Sequence, residues 1–241
     1  MPTEKTSKTK RPDGRKPDQT REMEAKVGII KRADGSAMFK IGKTVALAAV
    51  YGPRELHPKF LQNPEKGVLR CNYNMMSFSG AGDRVKPGPS RRSRELGMVI
   101  KKALTPVLSL EHYPNAVIDV YVELLQTDAG TRCAGVTAAA LALADAGISM
   151  KDLVSAVAVG KVEDKILADM VYEEESFEGE VADIPVAITP RTGHITLLQM
   201  DGEIEKESLM KALELAGKVC MEIYEEQKRA LKERFKVEEN E

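Results

Sequence analysis

Apolar residues between positions 23 and 52 fall into three short runs that are separated by polar breaks. The stretch MEAKVGIIKRADGSAMFKIGKTVALAAVYG is interrupted at RADGS and at GKT. The pairs Asp34-Gly35 and Gly42-Lys43 within these breaks favour tight turns between strands. The pattern therefore predicts three antiparallel strands at the start of the folded chain.

A second region with strand character leads into a helix near the middle of the chain. Residues 116–126, AVIDVYVELLQ, alternate in polarity and are rich in β-branched side chains, which is typical of a strand. Residues 135–147, GVTAAALALADAG, are rich in alanine and leucine and predict a helix with Gly147 as its C-terminal cap. An earlier helix is expected to begin near Ser90, where a proline-containing stretch ends.

The C-terminal part of the chain has the pattern of paired strands followed by one long helix. Residues 153–172 predict two strands that are joined by a turn near Glu163-Asp164. Residues 182–204 predict a hairpin that turns at Arg191-Thr192-Gly193. Apolar residues at steps of three and four predict an amphipathic helix over residues 206–235.

The order of these elements indicates the fold class. Strands, a helix, strands and a helix follow one another, mostly as hairpins, which predicts an α+β fold. Residues 23–109 and 116–231 show a similar order of elements. An internal structural duplication is therefore expected. The expectation rests only on the order of the elements, because the sequences of the two halves are not similar enough to support it.

Composition and charge indicate a globular protein without a global affinity for polyanions. The 241 residues are 42% hydrophobic and 30% charged, with a formal charge of -1, so nucleic-acid binding would have to use local patches. The three cysteines are far apart and lack the spacing of a zinc site or a disulfide framework, which favours a reducing compartment. The polar N-terminus and the lack of a run long enough to cross a bilayer predict a cytoplasmic protein with no membrane partner.

The two ends of the chain differ in charge from the rest. Residues 1–21 carry seven basic and three acidic side chains without apolar periodicity, so residues 1–16 are expected to form a flexible basic tail. Residues 236–241 are expected to form a solvated acidic tail. The sequence therefore predicts a single folded domain over residues 17–235.

A basic stretch at residues 84–104 carries seven basic residues and one acidic residue. Arg91, Arg92 and Arg94 crowd the first turn of the predicted helix, where positive charge opposes the helix dipole. A solvated basic face is the ordinary explanation of such a charge run. Three arginines in an unfavourable field beside a Gly/Pro loop instead favour contact with a polyanion such as an RNA backbone.

Aromatic and histidine side chains give little further evidence of function. Three aromatic residues beside predicted strands would be able to stack on bases, but single aromatics in such places are more often core residues. They are Tyr51, Tyr73 and Phe78. The three histidines are isolated from other chemical groups and are assigned no chemistry.

An acidic stretch at residues 173–183 carries six carboxylates and no basic residue. For most of these residues a solvated loop is the expected structure. Asp183 differs because it leads directly into the predicted strand IPVAI. A carboxylate at the mouth of a buried strand is suited to bind a metal ion or to transfer a proton.

Residues 126–135, QTDAGTRCAG, join the predicted strand to the predicted helix. A glycine-containing loop before a helix presents free backbone N–H groups and the positive end of the helix dipole. Thr131 adds a hydroxyl and Arg132 adds a fork of donors, which suits a tetrahedral anion such as phosphate. A tight turn with an exposed arginine explains the same residues, and composition alone leaves both interpretations open.

Six motifs in a fixed order carry a family resemblance. They are RPDGR at 11–15, PGPSRRSRE at 87–95, LLQTDAGTR at 124–132, ALALADAGI at 140–148, VAVGKV at 157–162 and ADIPVAITP at 182–190. On these motifs the chain resembles the RNase PH family, and within it the catalytic core subunits of archaeal exosomes. The resemblance implies a fold like domain 2 of ribosomal protein S5, with duplicated β-α halves.

The resemblance also implies an activity and an assembly. Such proteins are phosphorolytic 3′-to-5′ exoribonucleases: inorganic phosphate, the co-substrate, attacks the 3′-terminal linkage of single-stranded RNA and releases a nucleoside diphosphate. Excess diphosphate drives the reverse addition of RNA tails, and Mg²⁺ is the implied cofactor. The implied assembly is a hexameric ring, a trimer of heterodimers with a related RNase PH-like subunit, together with RNA-binding cap subunits.

The same resemblance assigns roles to residues in two segments, the loop at residues 126–135 and the acidic stretch at residues 173–183. Gly130, Thr131 and Arg132 are implied to bind the attacking phosphate, and Arg132 is also implied to be catalytic. Asp183 is implied to act as an acid or to bind Mg²⁺.

Four basic residues are assigned to RNA in the same way. Arg91 and Arg92 are implied to hold the RNA backbone near its 3′ end. Lys59 and Arg70 are implied to line the route along which the RNA reaches the site.

One departure from the family pattern affects the acidic part of the site. Active members usually carry a second aspartate six residues before the one matched by Asp183, and this chain has Phe177 there. Glu175 or Glu178 would replace the missing carboxylate if the loop takes a different register. Beside a catalytic subunit, this departure favours a second hypothesis, a non-catalytic RNA-binding ring subunit that supports an active partner. A third hypothesis, a small-molecule enzyme such as a kinase on the same fold, is disfavoured by the lack of a P-loop and by the arginine cluster.

Overall fold

A five-stranded sheet holds the first part of the chain in the computed structural model, which describes residues 11–82 and 84–236. Its strands are β1 (Met23–Val27), β2 (Gly35–Ile41), β3 (Thr44–Glu55), β4 (Val68–Met75) and β5 (Ala116–Gln126). They lie in the order β1-β2-β3-β5-β4, with β4 and β5 parallel and the other pairs antiparallel. The three strands predicted after residue 23 and the strand at 116–126 are confirmed.

The two glycines of the predicted turns in this sheet have different roles. Gly42 has a left-handed φ of 55° and lies in the tight turn between β2 and β3. Gly35 is already the first residue of β2, and a Cβ at this position would lie 2.4 Å from the carbonyl oxygen of Ala142. Glycine is therefore needed at position 35 because the strand passes directly against a helix backbone.

A four-stranded antiparallel sheet holds the second part of the chain. Its strands are β6 (Ser155–Val162), β7 (Lys165–Ala168), β8 (Val181–Thr189) and β9 (His194–Leu198), in the order β7-β6-β8-β9. Glu163, with a left-handed φ of 52°, lies in the turn between β6 and β7, and Gly193, with a φ of 70°, lies in the turn before β9. Both predicted hairpins are confirmed.

Four α-helices lie within the described residues: α1 (Arg91–Leu104), α2 (Thr131–Asp145), α3 (Tyr172–Glu175) and α4 (Lys206–Arg234). The predicted helix start near Ser90 and the long C-terminal helix are confirmed. α2 begins four residues earlier than predicted, which places Thr131 and Arg132 in its first turn. α3 was not predicted, because a single turn carries no apolar period.

α2 lies between the two sheets and is buried on all its faces. Alanine and glycine occur on every side of this helix, and nearly all of its residues from Thr131 to Leu143 are buried. These small side chains let β2 and β3 approach from one sheet and β6 from the other. α4 packs against β1 and β6. One continuous apolar cluster thus joins both sheets and the helices, which confirms the predicted α+β class.

The two parts of the chain divide at a later point than predicted. The expected duplication placed residues 116–231 in the second half. β5 nevertheless pairs with β3 and β4 and completes the first sheet. The change of sheet occurs between Asp145, where α2 ends, and Ser155, where β6 begins, because β5 pairs with strands of the first sheet on both of its sides.

The N-terminal segment is folded from residue 11 onwards. Arg11 is 8% exposed and donates hydrogen bonds to the buried Glu174. This differs from the flexible tail predicted over residues 1–16, because the arginines at its end are buried charges with partners rather than solvated ones. Residues 1–10 lie outside the described residues.

The C-terminal end of the described chain follows α4. Of the acidic tail predicted over residues 236–241, only Lys236 is described, and residues 237–241 lie outside the description. Among the helices of residues 11–82 and 84–236, none has both the length and the apolar character that crossing a membrane requires.

Candidate active site

A cavity of about 1040 Å³ is lined by elements of both sheets. The C-terminal end of β5, the N-terminal ends of α1 and α2, α3 and β8 contribute to its wall. Five of the residues that were assigned to sites from the sequence line it: Arg92, Gly130, Thr131, Arg132 and Asp183. The fold thus brings together residues that lie about ninety positions apart in the chain.

Three other residues assigned to sites lie outside the cavity lining. Arg91 is exposed at the first position of α1, next to Arg92. Lys59 is exposed in a short 3₁₀ turn after β3. Arg70 lies on β4, and Tyr73, the lining residue of this strand nearest to it, is three residues or about 10 Å further along. Lys59 and Arg70 therefore do not line the cavity, and their place on the route of the RNA stays a prediction.

The chain enters α2 through two consecutive residues in the left-handed conformation. Ala129 has a φ of 56° and Gly130 a φ of 60°. Thr44 holds this loop: its hydroxyl accepts from the Asp128 N–H at 2.9 Å and lies 2.9 Å from the carbonyl oxygens of Asp128 and Ala129. A left-handed alanine is strained, so the shape of the loop is imposed by these contacts.

The N-terminus of α2 faces the cavity without a side-chain cap. The N–H groups of its first turn therefore remain available, and the positive end of the helix dipole favours an anion. Thr131 adds a hydroxyl that is almost fully buried, and Arg132 adds a half-buried guanidinium group. Arg132 donates a hydrogen bond to Gln199 Oε1 at 2.9 Å, which fixes the direction of the guanidinium group. This geometry suits a phosphate ion.

Arg92 adds a second positive charge to the cavity wall. The start of α1 is stabilised in spite of its arginines by a reciprocal cap, in which Ser90 Oγ accepts from the Ser93 N–H and Ser93 Oγ accepts from the Ser90 N–H. Burial raises the pKa of the Tyr73 hydroxyl, and the charges of Arg92 and Arg132 oppose this rise. The positive charges of both arginines therefore act on the same hydroxyl group of the cavity wall.

Asp183 brings a carboxylate to the cavity from β8. Its backbone pairs reciprocally with Asp201, at N–O distances of 2.8 and 2.9 Å. Burial raises the pKa of Asp183, the charge of Arg132 opposes this rise, and the charge of Asp201 adds to it. Asp183 Oδ1 is buried and has no hydrogen-bond partner in the described part of the chain. Such an oxygen is available to hold a proton or a cation.

Glu175, the last residue of α3, brings a second carboxylate to the same cavity. Burial and then the charge of Asp183 raise the pKa of Glu175 to about 7, while the Gly130 N–H and the charges of Arg132 and Arg21 act in the opposite direction. These interactions place Glu175 beside the N-terminus of α2 as well as beside Asp183. The anion-binding half and the acidic half of the site meet at this residue.

The structure selects Glu175 from the two glutamates that were considered as the second carboxylate. Glu178 and Phe177 are exposed and lie outside the cavity lining. The physical reason is α3, which turns Glu175 towards the cavity before the chain continues through exposed residues 176–180. The loop therefore takes a register different from that of the family pattern.

The two carboxylates fit a magnesium ion. In sites that bind phosphate groups, Mg²⁺ is held by one or two carboxylates together with oxygens of the substrate. Asp183 Oδ1 offers an oxygen without a partner, and Glu175 lies close to it. Within residues 11–82 and 84–236, no group of three or more His, Cys, Asp and Glu side chains is suited to hold a metal by itself. An ion bound here would take its other ligands from substrate or water.

Two exposed aromatic residues of the lining were missed by the sequence reasoning. Tyr73 is 4% exposed, as expected of a core residue, but Phe78 is 75% exposed and lines the cavity. Tyr172 at the start of α3 is 65% exposed and lines it as well. The exposure of Phe78 could have been expected from the sequence, because this residue stands directly before the glycine-containing sequence SGAG rather than inside a predicted strand.

Family models match this chain over most of its length. The model described as 3′ exoribonuclease family, domain 1 matches residues 19–149, and the model described as 3′ exoribonuclease family, domain 2 matches residues 152–219. The two models meet between α2 and β6, where the sheet changes. They divide into two domains the single domain that the sequence predicts over residues 17–235.

Similar proteins share the length of this chain as well as its sequence. It is 52% identical over 223 residues to the exosome complex component Rrp41 of Methanopyrus kandleri, which covers 92% of each chain. It is 54% identical over 226 residues to the exosome complex component Rrp41 of Thermococcus kodakarensis, which covers 94% of this chain and 90% of the relative. The crystal structure of rice (Oryza sativa) Rrp46 matches with a TM-score of 0.82 and 25% identity, over 92% of this chain and 100% of that chain.

Proposed function

The chain belongs to the 3′ exoribonuclease family, known as RNase PH, and on that premise we propose that it is the catalytic subunit of an exosome-type ring. The proposed reaction is phosphorolysis of single-stranded RNA from its 3′ end, with inorganic phosphate as co-substrate and nucleoside diphosphates as products. One observation carries the proposal: an uncapped helix N-terminus, two arginines and two carboxylates with raised pKa values share one cavity.

The anion-binding half of the cavity is suited to the attacking phosphate. The backbone N–H groups after Gly130, the Thr131 hydroxyl and the Arg132 guanidinium group are donors in one place. Arg92 adds positive charge for the terminal phosphodiester. Because the two phosphate groups repel each other in water, donors that hold both in reacting geometry remove a large part of the barrier.

The acidic half supplies the proton that the reaction needs. An oxygen of the attacking phosphate bonds to the terminal phosphorus, and the bond from this phosphorus to the 3′ oxygen of the shortened RNA breaks. The departing 3′ oxygen takes up a proton as it leaves. Glu175 has a pKa of about 7 and lies beside the phosphate-binding helix terminus. Before an ion binds, it is therefore protonated in a large share of molecules near neutral pH, and we assign it the role of general acid.

Asp183, which was expected to be an acid or a metal ligand, takes the second of these roles in this proposal. Its unpartnered Oδ1 would hold Mg²⁺ together with oxygens of the substrate. When bound, the ion supplies positive charge that stabilises the phosphoryl oxygens in the transition state. Because the reaction is reversible, excess nucleoside diphosphate would add RNA tails at the same site.

The RNA strand is proposed to reach the site past Phe78 and Tyr172. Base stacking on aromatic side chains tolerates every base, which suits an exonuclease that accepts each 3′ nucleotide in turn. Arg91 and Arg92 at the start of α1 would neutralise backbone phosphates next to these bases. Lys59 and Arg70 lie outside the cavity lining and would contact RNA only upstream of the reacting end.

Assembly with a related subunit is part of the proposal. The Rrp41 proteins that this chain resembles are named as components of an exosome complex. β9 is an edge strand of the second sheet, and Ile195 and Leu198 on it are exposed apolar side chains. Such an edge is suited to contact another subunit. We propose a cytoplasmic hexameric ring, a trimer of heterodimers with an RNase PH-like partner, that carries RNA-binding cap subunits.

A direct experiment separates this function from that of a non-catalytic RNA-binding subunit. The chain is co-purified with the RNase PH-like partner and incubated with 5′-labelled oligo(A) and Mg²⁺, with and without inorganic phosphate. The expected products are nucleoside diphosphates that form only when phosphate is present. Nucleoside monophosphates, or an assembled complex that binds RNA without degrading it, would contradict the proposed activity.

A further inference from the structure

We propose that the N-terminal segment, residues 11–21, positions both halves of the active site, and that Arg11 and Arg21 are positioning residues for phosphorolysis. The inference rests on the proposed function. It adds to the residues that support phosphorolysis two arginines that do not line the cavity. Arg11 acts on the helix that carries Glu175. Arg21 acts on the loop that leads into α2.

Arg11 holds α3 through a buried two-pronged contact with Glu174. Its Nε donates to Glu174 Oε1 and its Nη2 donates to Glu174 Oε2, both at 2.8 Å. Both side chains are 4% exposed. Glu174 Oε2 also accepts from the Val171 N–H at 3.0 Å. Glu174 is thereby fixed at both of its oxygens, and Glu175 is the next residue of the chain.

α3 depends on this contact because it is too short to hold its own shape. It has four residues, Tyr172–Glu175, and isolated helices of this length are unstable in water. The residues that follow it, 176–180, are exposed. Arg11 also donates to the carbonyl oxygens of Ala168 and Asp169, at 2.9 and 3.0 Å. The guanidinium group therefore ties the start of α3 to the end of β7.

Arg21 joins the same region to the phosphate-binding loop. Its Nε and Nη2 donate to the two carboxylate oxygens of Asp169, at 2.8 and 2.6 Å, and its N–H donates to Asp169 Oδ2 at 2.9 Å. Its Nη1 donates to the Asp128 carbonyl oxygen. A Cβ added to Gly130 would lie 3.6 Å from Arg21 Nη2. Arg21 is therefore bound to the loop on one side and to Asp169 on the other.

Asp169 itself needs these contacts to keep its conformation. It is 2% exposed and has a left-handed φ of 49°, which is unfavourable for a residue other than glycine. Arg15 adds a hydrogen bond to its carbonyl oxygen at 3.0 Å. The N-terminal arginines thus stabilise one strained junction from which α3 starts. Reacting groups must be held to within about half an ångström, so loosening this junction is expected to reduce the rate of the reaction.

The test uses the assembled complex with Arg11→Met and Arg21→Met as separate variants. Arg11→Met should lower kcat roughly 10- to 100-fold, as loss of supporting contacts does at other sites, while KM for phosphate and Kd for oligo(A) stay near their wild-type values. Arg21→Met should also raise KM for phosphate, because it releases the loop at Asp128. Arg11→Lys should fall between wild type and Arg11→Met, since lysine keeps the charge but not the fork.

A double variant separates positioning from general stabilisation of the fold. Arg11→Met alone leaves the Glu174 carboxylate buried without a partner, whereas Arg11→Met with Glu174→Met removes both charges. The double variant should regain thermal stability while its kcat stays low. If kcat recovers together with stability, the contact is only structural and the inference is wrong. Arg229→Met is the matched control, because Arg229 pairs with Glu226 on α4 away from the cavity.

Hydrogen exchange gives a readout that does not depend on activity. In Arg11→Met the amides of residues 172–176 should exchange faster, and in Arg21→Met those of residues 128–131, while α4 stays as protected as in the wild type. Unchanged exchange in both segments overturns the inference. If the wild-type complex shows no phosphorolysis, the proposed function fails, and the exchange data still decide whether the N-terminal segment positions α3 and the loop.

Discussion

Glu175 at the end of α3 lies close enough to Asp183 on β8 for their carboxylates to repel, and this repulsion adds to burial in raising the pKa of Glu175 to about 7. The two residues come from separate elements of the second part of the chain. The N–H of Gly130, from the end of the first part, acts on the same carboxylate. Glu175 is therefore in contact with groups from both parts of the chain.

The role of Glu175 as an acid predicts the effect of Glu175→Gln. Glutamine cannot donate the proton, so kcat should fall roughly 10²- to 10⁴-fold while the KM for RNA changes little. In the wild type, kcat should fall as pH rises through the pKa of this acid, which is about 7 without a bound ion and lower beside Mg²⁺. The variant should lack this decline. The measurement is the release of nucleoside diphosphate by the assembled complex between acidic and alkaline pH.

Glu178→Gln is the matched control for this variant. The substitution is the same, but Glu178 is exposed and lies outside the cavity lining, so kcat and its pH dependence should match the wild type. Loss of activity in Glu178→Gln with retention in Glu175→Gln would show that the loop works in the other register.

Stability should change with pH in a direction that follows from the same pKa. The folded state raises the pKa of Glu175 from 4.5 to about 7, so it favours the protonated form. The stability associated with this proton is complete below the unfolded value and is lost as pH rises through the folded value. Glu175→Gln should therefore stabilise the protein by about 1 kcal/mol at alkaline pH, a discounted figure because the side chain is only half-buried. At pH 4 the effect should vanish. Chemical denaturation of the wild type and the variant, with a metal chelator present, measures this difference in stability at each pH. Equal differences at alkaline pH and at pH 4 would contradict the repulsion between Glu175 and Asp183.

The anion-binding half of the site could be proposed from the sequence because its parts are contiguous, although composition alone left a tight turn equally open. Gly130, Thr131 and Arg132 follow one another at a strand-to-helix junction, and the physics of a helix N-terminus needs no information from elsewhere in the chain. The strands and the long helix were predicted for a related reason, since each has a period that is visible within its own residues.

Of the acidic half, Asp183 was singled out from the sequence, but the choice of Glu175 as the second carboxylate was not accessible in the same way. The position of Glu175 depends on α3, and α3 depends on Arg11, which is 163 positions away from Glu174 in the chain. No pattern of neighbouring residues predicts a contact over such a distance in the sequence. Lys59 and Arg70 were assigned to the RNA route by resemblance, but which end of β4 lies at the cavity follows only from the pairing of the strands.

Arg132 is expected to act on phosphate rather than on RNA. Arg132→Ala removes the guanidinium group that Gln199 orients, and kcat/KM for phosphate should fall roughly 10²- to 10³-fold because charge stabilisation is lost. The ring should still assemble, and the Kd for oligo(A) should stay near the wild-type value. Steady-state kinetics at varied phosphate, with size-exclusion chromatography, measure these quantities. A variant that loses RNA affinity but keeps its KM for phosphate would move Arg132 to the RNA path.

The exposed aromatics should determine RNA affinity. Phe78→Ala and Tyr172→Ala should each weaken oligo(A) binding by about 1–3 kcal/mol, the usual range for loss of one stacked base, and should leave the KM for phosphate unchanged. Phe235→Ala is the control, since this residue is also exposed but follows α4 outside the cavity lining. Fluorescence anisotropy with labelled oligonucleotides gives the affinities. Equal binding by all three variants and the wild type would exclude stacking at the cavity.

Asp183 is expected to set the requirement for magnesium. Asp183→Asn keeps the size of the side chain but removes the charge on the unpartnered Oδ1, so the Mg²⁺ concentration for half-maximal phosphorolysis should rise at least roughly ten-fold. Asp164→Asn is the control: Asp164 is exposed in the turn between β6 and β7 and lies outside the cavity lining, so this variant should keep the wild-type requirement. Binding of Mn²⁺, followed by electron paramagnetic resonance, should weaken in Asp183→Asn only. If both variants bind Mn²⁺ as the wild type does while Asp183→Asn is inactive, Asp183 transfers a proton instead of holding the ion. The roles assigned to Asp183 and Glu175 would then have to be exchanged.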